Sequence, residues 1–305
     1  LLESLKRHLD RRQWLQAKQA AEALLLLPPG ELTTLDLGQV YYGYGRASAW
    51  LQEHYAAIRL FELATRHALQ ARDWDTLGFS RAEAGIVSVF IGDLVTANEM
   101  FAAYYLDLSR YKDAKACEAL VRYNNGLALR RQHRHGEAVV AYHMALNLFV
   151  ERGRTADAAE CHQNLAWLHL LDNKAVEALP HLECAQSHVD TLGQDYRIEM
   201  LVCWGLYHFV LREVGTSMEY LAEILSASPS GSTQAGISAR HKSEASWIAG
   251  EIAILLDQAA KALILARWAQ QEAIVAREPE LMNRATGLLA RSRATLLGGD
   301  SEAAQ

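Results

Sequence analysis

The sequence predicts an all-α fold, a right-handed superhelical solenoid of antiparallel helix pairs, and three observations predict it. Small residues recur in pairs twelve positions apart. Each second member is followed by a bulky residue four places on and a further packing residue three beyond that. The stretches between breakers are rich in Ala, Leu, Glu and Arg, with only 5 prolines in 305 residues, three of them at Pro28-Pro29 and Pro229. A four-then-three step is one face of an α-helix, and such a composition favours helix throughout.

The units follow in order as approximately residues 1–30, 31–73, 74–111, 112–153, 154–192, 193–232, 233–278 and a partial 279–305, one solenoid over 1–305. In the first, Leu5 stands twelve before Ala17, which precedes Ala57 by 40. The second carries Gly45 and Ala57, then Phe61 and Ala64; the third carries Gly85 and Ala97, then Phe101 and Tyr104. The fourth has Gly126 and Ala138 with Tyr142 and Ala145, the fifth Ala166 and Ala178 with Leu182 and Ala185. The sixth has Gly205 and Ser217 with Leu221 and Ile224, and the seventh Gly250 and Ala262. Here Ser217 and Ala266 depart from the small and bulky choices made elsewhere. Successive second members are 40, 41, 40, 39 and 45 residues apart from Ala57 to Ala262, so about seven units share a period near forty.

Small residues let two antiparallel helices approach until a bulky side chain of one rests on the backbone of the other. Each unit therefore reads as a helical hairpin, with turns expected at Gly92-Asp93, Gly136-Glu137, Asp172-Asn173 and Gly215-Thr216. One hairpin cannot bury both of its faces, so hairpins stack.

The run Tyr123-Asn124-Asn125-Gly126-Leu127-Ala128, then His135-Gly136-Glu137-Ala138, Tyr142 and Ala145, resembles the tetratricopeptide repeat. Gln163-Asn164-Leu165-Ala166 with Ala178, Leu182 and Ala185 resembles the next copy. The family's usual period is about 34 residues, so six more residues at about 1.5 Å each lengthen both helices by most of a turn. Leu1 falls inside a first helix and Ala303, 41 after Ala262, falls early in a second. Both ends thus cut through a unit, and the chain reads as a piece of a longer protein.

Several function classes find no support. The net charge is −6 with scattered Lys and Arg, which does not suit direct nucleic-acid binding. No apolar run approaches the ~18 residues of a membrane span, so the chain is expected to be soluble, without a membrane partner, and by default cytoplasmic. Cys117, Cys161, Cys184 and Cys203 are widely spaced inside helical patterns and read as reduced thiols. Gly43-Tyr44-Gly45 lacks the strand and third glycine of a phosphate loop. Cys161-His162 with His181 and Cys184 lacks the close cysteine pair of a zinc site, and His133-x-His135 reads as a solvated turn. Neither a nucleophile elbow nor a two-His zincin motif is present. The sequence therefore implies no enzyme, no cofactor and no metal.

It implies a binding surface instead. The first helix of each pair is expected to line a concave groove with Tyr42, Arg46 and Trp50; Ile86 and Phe90; Tyr123, Asn124, Leu127 and Arg130; Gln163, Asn164 and Trp167; Leu206 and Phe209; Trp247 and Glu251. Rings interleaved with amides suit an extended peptide, since amides bond both the N–H and the C=O of a backbone. Asn124 and Asn164, forty apart, would form a ladder, while Trp50 and Trp167 could equally be core. The carboxylate clamp of chaperone-docking relatives is incomplete, because Tyr123 or Gln163 holds its lysine position. Repeat length, array size and the asparagine pair are similar to the regulatory domains of bacterial peptide-pheromone receptors. That resemblance implies a peptide or protein ligand in the groove, an effector domain outside this chain, and room for a homodimer. The alternative is a passive scaffold or co-chaperone-type adaptor.

Overall fold

The computed structural model describes residues 2–226, 238–276 and 279–302, which it builds as helices joined by short turns, with no strand among them. Pro229 and Ala303 lie outside the described residues. The chain divides into two compact units, one of residues 1–132 and 136–148, the other of residues 133–135 and 149–305.

The first unit holds α1 (Leu2–Asp10), α2 (Trp14–Leu25), α3 (Thr34–Trp50), α4 (His54–Ala71), α5 (Trp74–Ile91), α6 (Leu94–Leu106), α7 (Glu118–Arg131) and most of α8 (His135–Glu151). Caps fix where these helices begin. Thr33 and Asp36 form a reciprocal capping box at α3, and Asp73 and Asp93 accept the backbone N–H of Thr76 and Thr96 at α5 and α6. The connection between α6 and α7 is tied back by Asp75. Its Oδ1 accepts the backbone N–H groups of Lys112, Asp113 and Ala114 at 2.8, 2.8 and 2.9 Å.

The second unit holds α9 (Thr155–Leu171), α10 (Ala175–Gln186), the short α11 (Val189–Leu192), α12 (Gln194–Val210), α13 (Val214–Leu225), α14 (Ala239–Leu255), α15 (Ala259–Ala276) and α16 (Pro279–Glu302). Its largest core cluster joins Trp167, Leu182, Ile198, Met200, Leu206, Leu221 and Ile248.

The twelve-residue offset is the crossing of each hairpin. A Cβ on Gly45, Gly85, Gly126 or Gly205 would stand 2.7, 2.4, 2.9 or 2.7 Å from an atom of Phe61, Phe101, Tyr142 or Leu221, so at these crossings the ring or branched chain lies directly on glycine backbone. Ala57, Ala97, Ala138, Ala178, Ser217 and Ala262 are all fully buried opposite. The two departures have physical reasons. Ser217 donates its hydroxyl to the carbonyl of Gly205 at 2.7 Å, which satisfies the polar group in the core. Ala266 leaves a hollow beside Gly250, and Leu288 of α16 fills it.

Every hairpin turn contains one residue of positive φ, five positions before the second small residue: Arg12, Gln52, Gly92, His133, Asn173, Arg212 and Asp257. This left-handed residue caps the first helix and reverses the chain. Two turns were therefore misplaced by sequence. Gly136 and Gly215 lie inside the first turns of α8 and α13, and the reversals are made by His133 and Arg212. These reversals need no glycine, because His133 and Arg212 bear the modest strain of a side chain at positive φ.

Candidate functional site

In the first unit the first helices α3 and α5 lie side by side and leave a cleft of about 550 Å³. Arg46, Ala49 and Trp50 from α3, Glu83, Ile86, Val87 and Phe90 from α5, Gln52 from the turn and His54 from the start of α4 line it. Trp50 and Phe90 are 61% and 72% exposed, large rings held open to solvent on opposite walls. Trp50 is not loose, for its ring stacks on Trp14 of α2 with centroids 5.1 Å apart and planes 2° from parallel.

The cleft's charges are set by burial. Arg46 Nε lies 3.9 Å from Glu83 Oε1, a loose ion pair, and the guanidinium also sits over the Tyr42 ring at 5.8 Å. Burial of the Glu83 carboxyl pushes its pKa up, and Arg46 only partly offsets this. His54 Nδ1 is buried at the rim with no hydrogen-bond partner. Sequence reasoning singled out Arg46, Trp50, Ile86 and Phe90, and the structure brings all four together. It missed Glu83 and His54, whose types gave no periodic signal.

The other sequence-named residues are placed differently. Tyr42 is half-buried between Phe61 and Phe79, at 6.1 and 5.8 Å, and burial raises its pKa. Tyr123 meets Tyr142 edge-on at 5.7 Å, and Leu127 packs on the core of α5 to α7. Asn124 and Arg130 are 8% and 2% exposed; Gln163, Asn164 and Trp167 are 4%, 5% and 2% exposed. These five are thus interior in the chain, not the open wall the sequence suggested. The asparagines are equivalent in detail: Asn124 Nδ2 donates to the Leu120 carbonyl and Asn164 Nδ2 to the Glu160 carbonyl, both at 2.9 Å and both four residues back. Their amides therefore bond their own helices, a use of Asn that helix interiors permit. Gln163 Nε2 lies 3.4 Å from the Cys203 sulfur.

In the second unit the stripe residues Trp167, Trp247 and Glu251 are met by α16. The Arg284 guanidinium lies over both indoles, 5.4 Å from the Trp167 ring and 5.1 Å from that of Trp247, and Arg291 pairs with Glu251. A smaller cavity of about 290 Å³ opens among Gln186, Val189, Arg197, Met200, Leu201, Trp204 and Tyr220. Leu206 is buried and Phe209 half-buried in the same core. His162 and His181 bring their Nδ1 atoms to 2.8 Å, whereas Cys161 is buried and Cys184 exposed.

No family model matches the sequence, and no curated protein matches it either. Solved structures do match. The apo form of the quorum sensor NprR from B. thuringiensis aligns over 94% of this chain and 79% of its own, at 13% identity and a TM-score of 0.61. A tetratricopeptide repeat protein from Parabacteroides merdae aligns over 93% and 97%, at 11% identity and a TM-score of 0.57. A Rap protein complexed with competence and sporulation factor aligns over 96% and 74%, at 10% identity and a TM-score of 0.52. Hairpins that nest through small residues once per forty positions, and these alignments along nearly all of the chain, make the fold that of the tetratricopeptide-repeat proteins.

Proposed function

We propose that this chain is a peptide- or protein-binding repeat domain, the ligand-sensing part of a larger bacterial signalling or transcriptional regulator, and not an enzyme. The observation that carries the reading is the α3–α5 cleft, where Trp50 and Phe90 stand 61% and 72% exposed over a half-buried Arg46–Glu83 pair. Exposed rings held rigid by a stacked neighbour bind apolar side chains at low entropic cost. A loosely paired arginine is available to donate to a carboxylate or a backbone carbonyl. The ligand that fits is a short peptide with an apolar side chain between the two rings and an acidic or C-terminal group on Arg46. The likeness to a quorum sensor and to a Rap protein in complex supports a sensing role.

The test is a peptide array probed with the purified chain, followed by titration of the selected peptides against Arg46→Ala and Phe90→Ala. Each variant is expected to weaken binding by about 1 to 3 kcal/mol, as truncation of an interface anchor does. Unchanged affinity for every selected peptide would discard the cleft.

A passive scaffold is the second reading, favoured by Tyr55 and Val95, forty residues apart at the starts of α4 and α6 and 74% and 70% exposed. It predicts that Tyr55→Ser and Val95→Ser weaken partner binding while the cleft variants do not.

A further inference from the structure

The turn that precedes α8 carries two imidazoles flanking Arg134. His133 is exposed and holds the left-handed position with φ 59°, while His135 opens α8 half-buried. Facing them is the first turn of α16, where Glu280 is 3% exposed and paired with Arg284. One ligand atom from each of His133, His135 and Glu280 lies within 4.8 Å of the other two. His135 Nε2 is buried and has no hydrogen-bond partner. Asn283 brings its Nδ2 to 3.4 Å from His133 Nε2, so His133 is already drawn toward α16.

A buried imidazole nitrogen left unmatched is costly, and two imidazoles with a carboxylate are the donor set of late first-row divalent ions. Calcium and magnesium ask for more oxygens than this group supplies. Ligands bound at about 2.0 to 2.2 Å to a tetrahedral ion stand about 3.4 Å apart, so small side-chain rotations close the present spacing. Arg284 fixes the orientation of the Glu280 carboxylate, as outer-shell partners do, and is itself held over Trp167 and Trp247.

We propose that His133, His135 and Glu280 form a binding site for a late first-row divalent transition metal, with Zn2+ as its representative and water as the fourth ligand. The ion pins the first turn of α16 to residues 133–135. The site stands apart from the peptide-binding reading.

The full chain, stripped with a chelator, is titrated with ZnCl2 by calorimetry and with CoCl2 by visible absorption. One saturating equivalent, tetrahedral Co2+ bands and a raised Tm are expected. His133→Asn retains a residue suited to positive φ, since Asn173 holds the same place one hairpin on. This variant and His135→Gln should each weaken Zn2+ by more than about tenfold with far-UV circular dichroism unchanged. Absence of saturable binding in the wild type, or wild-type affinity in both variants, overturns the proposal. So does loss of the bound ion in His181→Gln with its retention in His133→Asn, which would put the ion at the His162–His181 pair.

Discussion

Leu288 and Gly250 are locked together: a Cβ added to Gly250 would lie 2.4 Å from a methyl carbon of Leu288. In earlier hairpins the glycine of the first helix receives a ring, or at Gly205 a leucine, from its own second helix. At Gly250 the partner at that place, Ala266, is too small, and α16 supplies the missing group. Leu288 is fully buried, so Leu288→Ala opens a cavity at the joint of α14 and α16 and should cost roughly 2 to 5 kcal/mol. Urea unfolding checks this, with Ile264→Ala, an exposed site on α15, as the comparison that should move little.

Glycines of the same helical type separate into two kinds. Gly85→Ala drives a methyl to 2.4 Å from the Phe101 ring, and overpacking of this sort costs about 1 to 3 kcal/mol. Gly136 sits in α8 with nothing within 4 Å of the added methyl. Gly136→Ala should therefore stabilise by about 0.5 to 1 kcal/mol, the helix-entropy gain. Opposite shifts in the denaturation midpoint are the result to look for; shifts of the same sign would show that the crossing is not where close approach matters.

The crossings were legible in the sequence because packing at one point per hairpin writes a fixed offset, and a serine at 217 or an alanine at 266 shows as a break in it. The turns were half legible. Gly92 announces itself, but His133 and Arg212 do the same work with ordinary side chains. For the candidate cleft, Arg46 and Ile86, and likewise Trp50 and Phe90, could be named because each pair stands one period apart on successive first helices. Asn124 and Asn164 also follow it, yet whether an amide turns outward or bonds the carbonyl four residues back depends on crowding that spacing does not encode. Arg284 over Trp167, and Glu280 near His135, join positions more than a hundred residues apart, and no local pattern reports such a meeting.

Asp75 offers a further long-range test. One carboxylate oxygen accepts three consecutive backbone N–H groups from residues 112–114, so the connection into α7 depends on a side chain at the start of α5. Charge-assisted bonds are the stronger kind, and Asp75→Ala should cost about 2 kcal/mol. Asp75→Asn keeps an acceptor oxygen without the charge and should fall between. Hydrogen exchange at Lys112, Asp113 and Ala114 should quicken in the alanine variant well before exchange in α5 does.

The thiols give a pH-dependent prediction. Burial pushes the Cys203 thiol from its ordinary value near 9 up to about 12, with the bond from Gln163 offsetting part of the rise. Cys161 is raised the same way. Both are neutral and shielded at pH 8, so iodoacetamide should modify the exposed Cys184 first, the half-buried Cys117 more slowly, and neither buried thiol until unfolding. A group whose folded pKa is raised lends stability that is whole below its unfolded pKa and is lost as pH climbs to the folded one. For Cys203 the loss runs from about pH 9 to about pH 12. Tyr196, also raised by burial, adds a drop of its own in that range, so a single alkaline titration does not isolate the thiol. Comparing wild type with Cys203→Ala does: urea midpoints followed from pH 8 to pH 11 should fall less steeply in the variant, and parallel slopes would show that the thiol is not shielded as its position between Gln163 and the core requires.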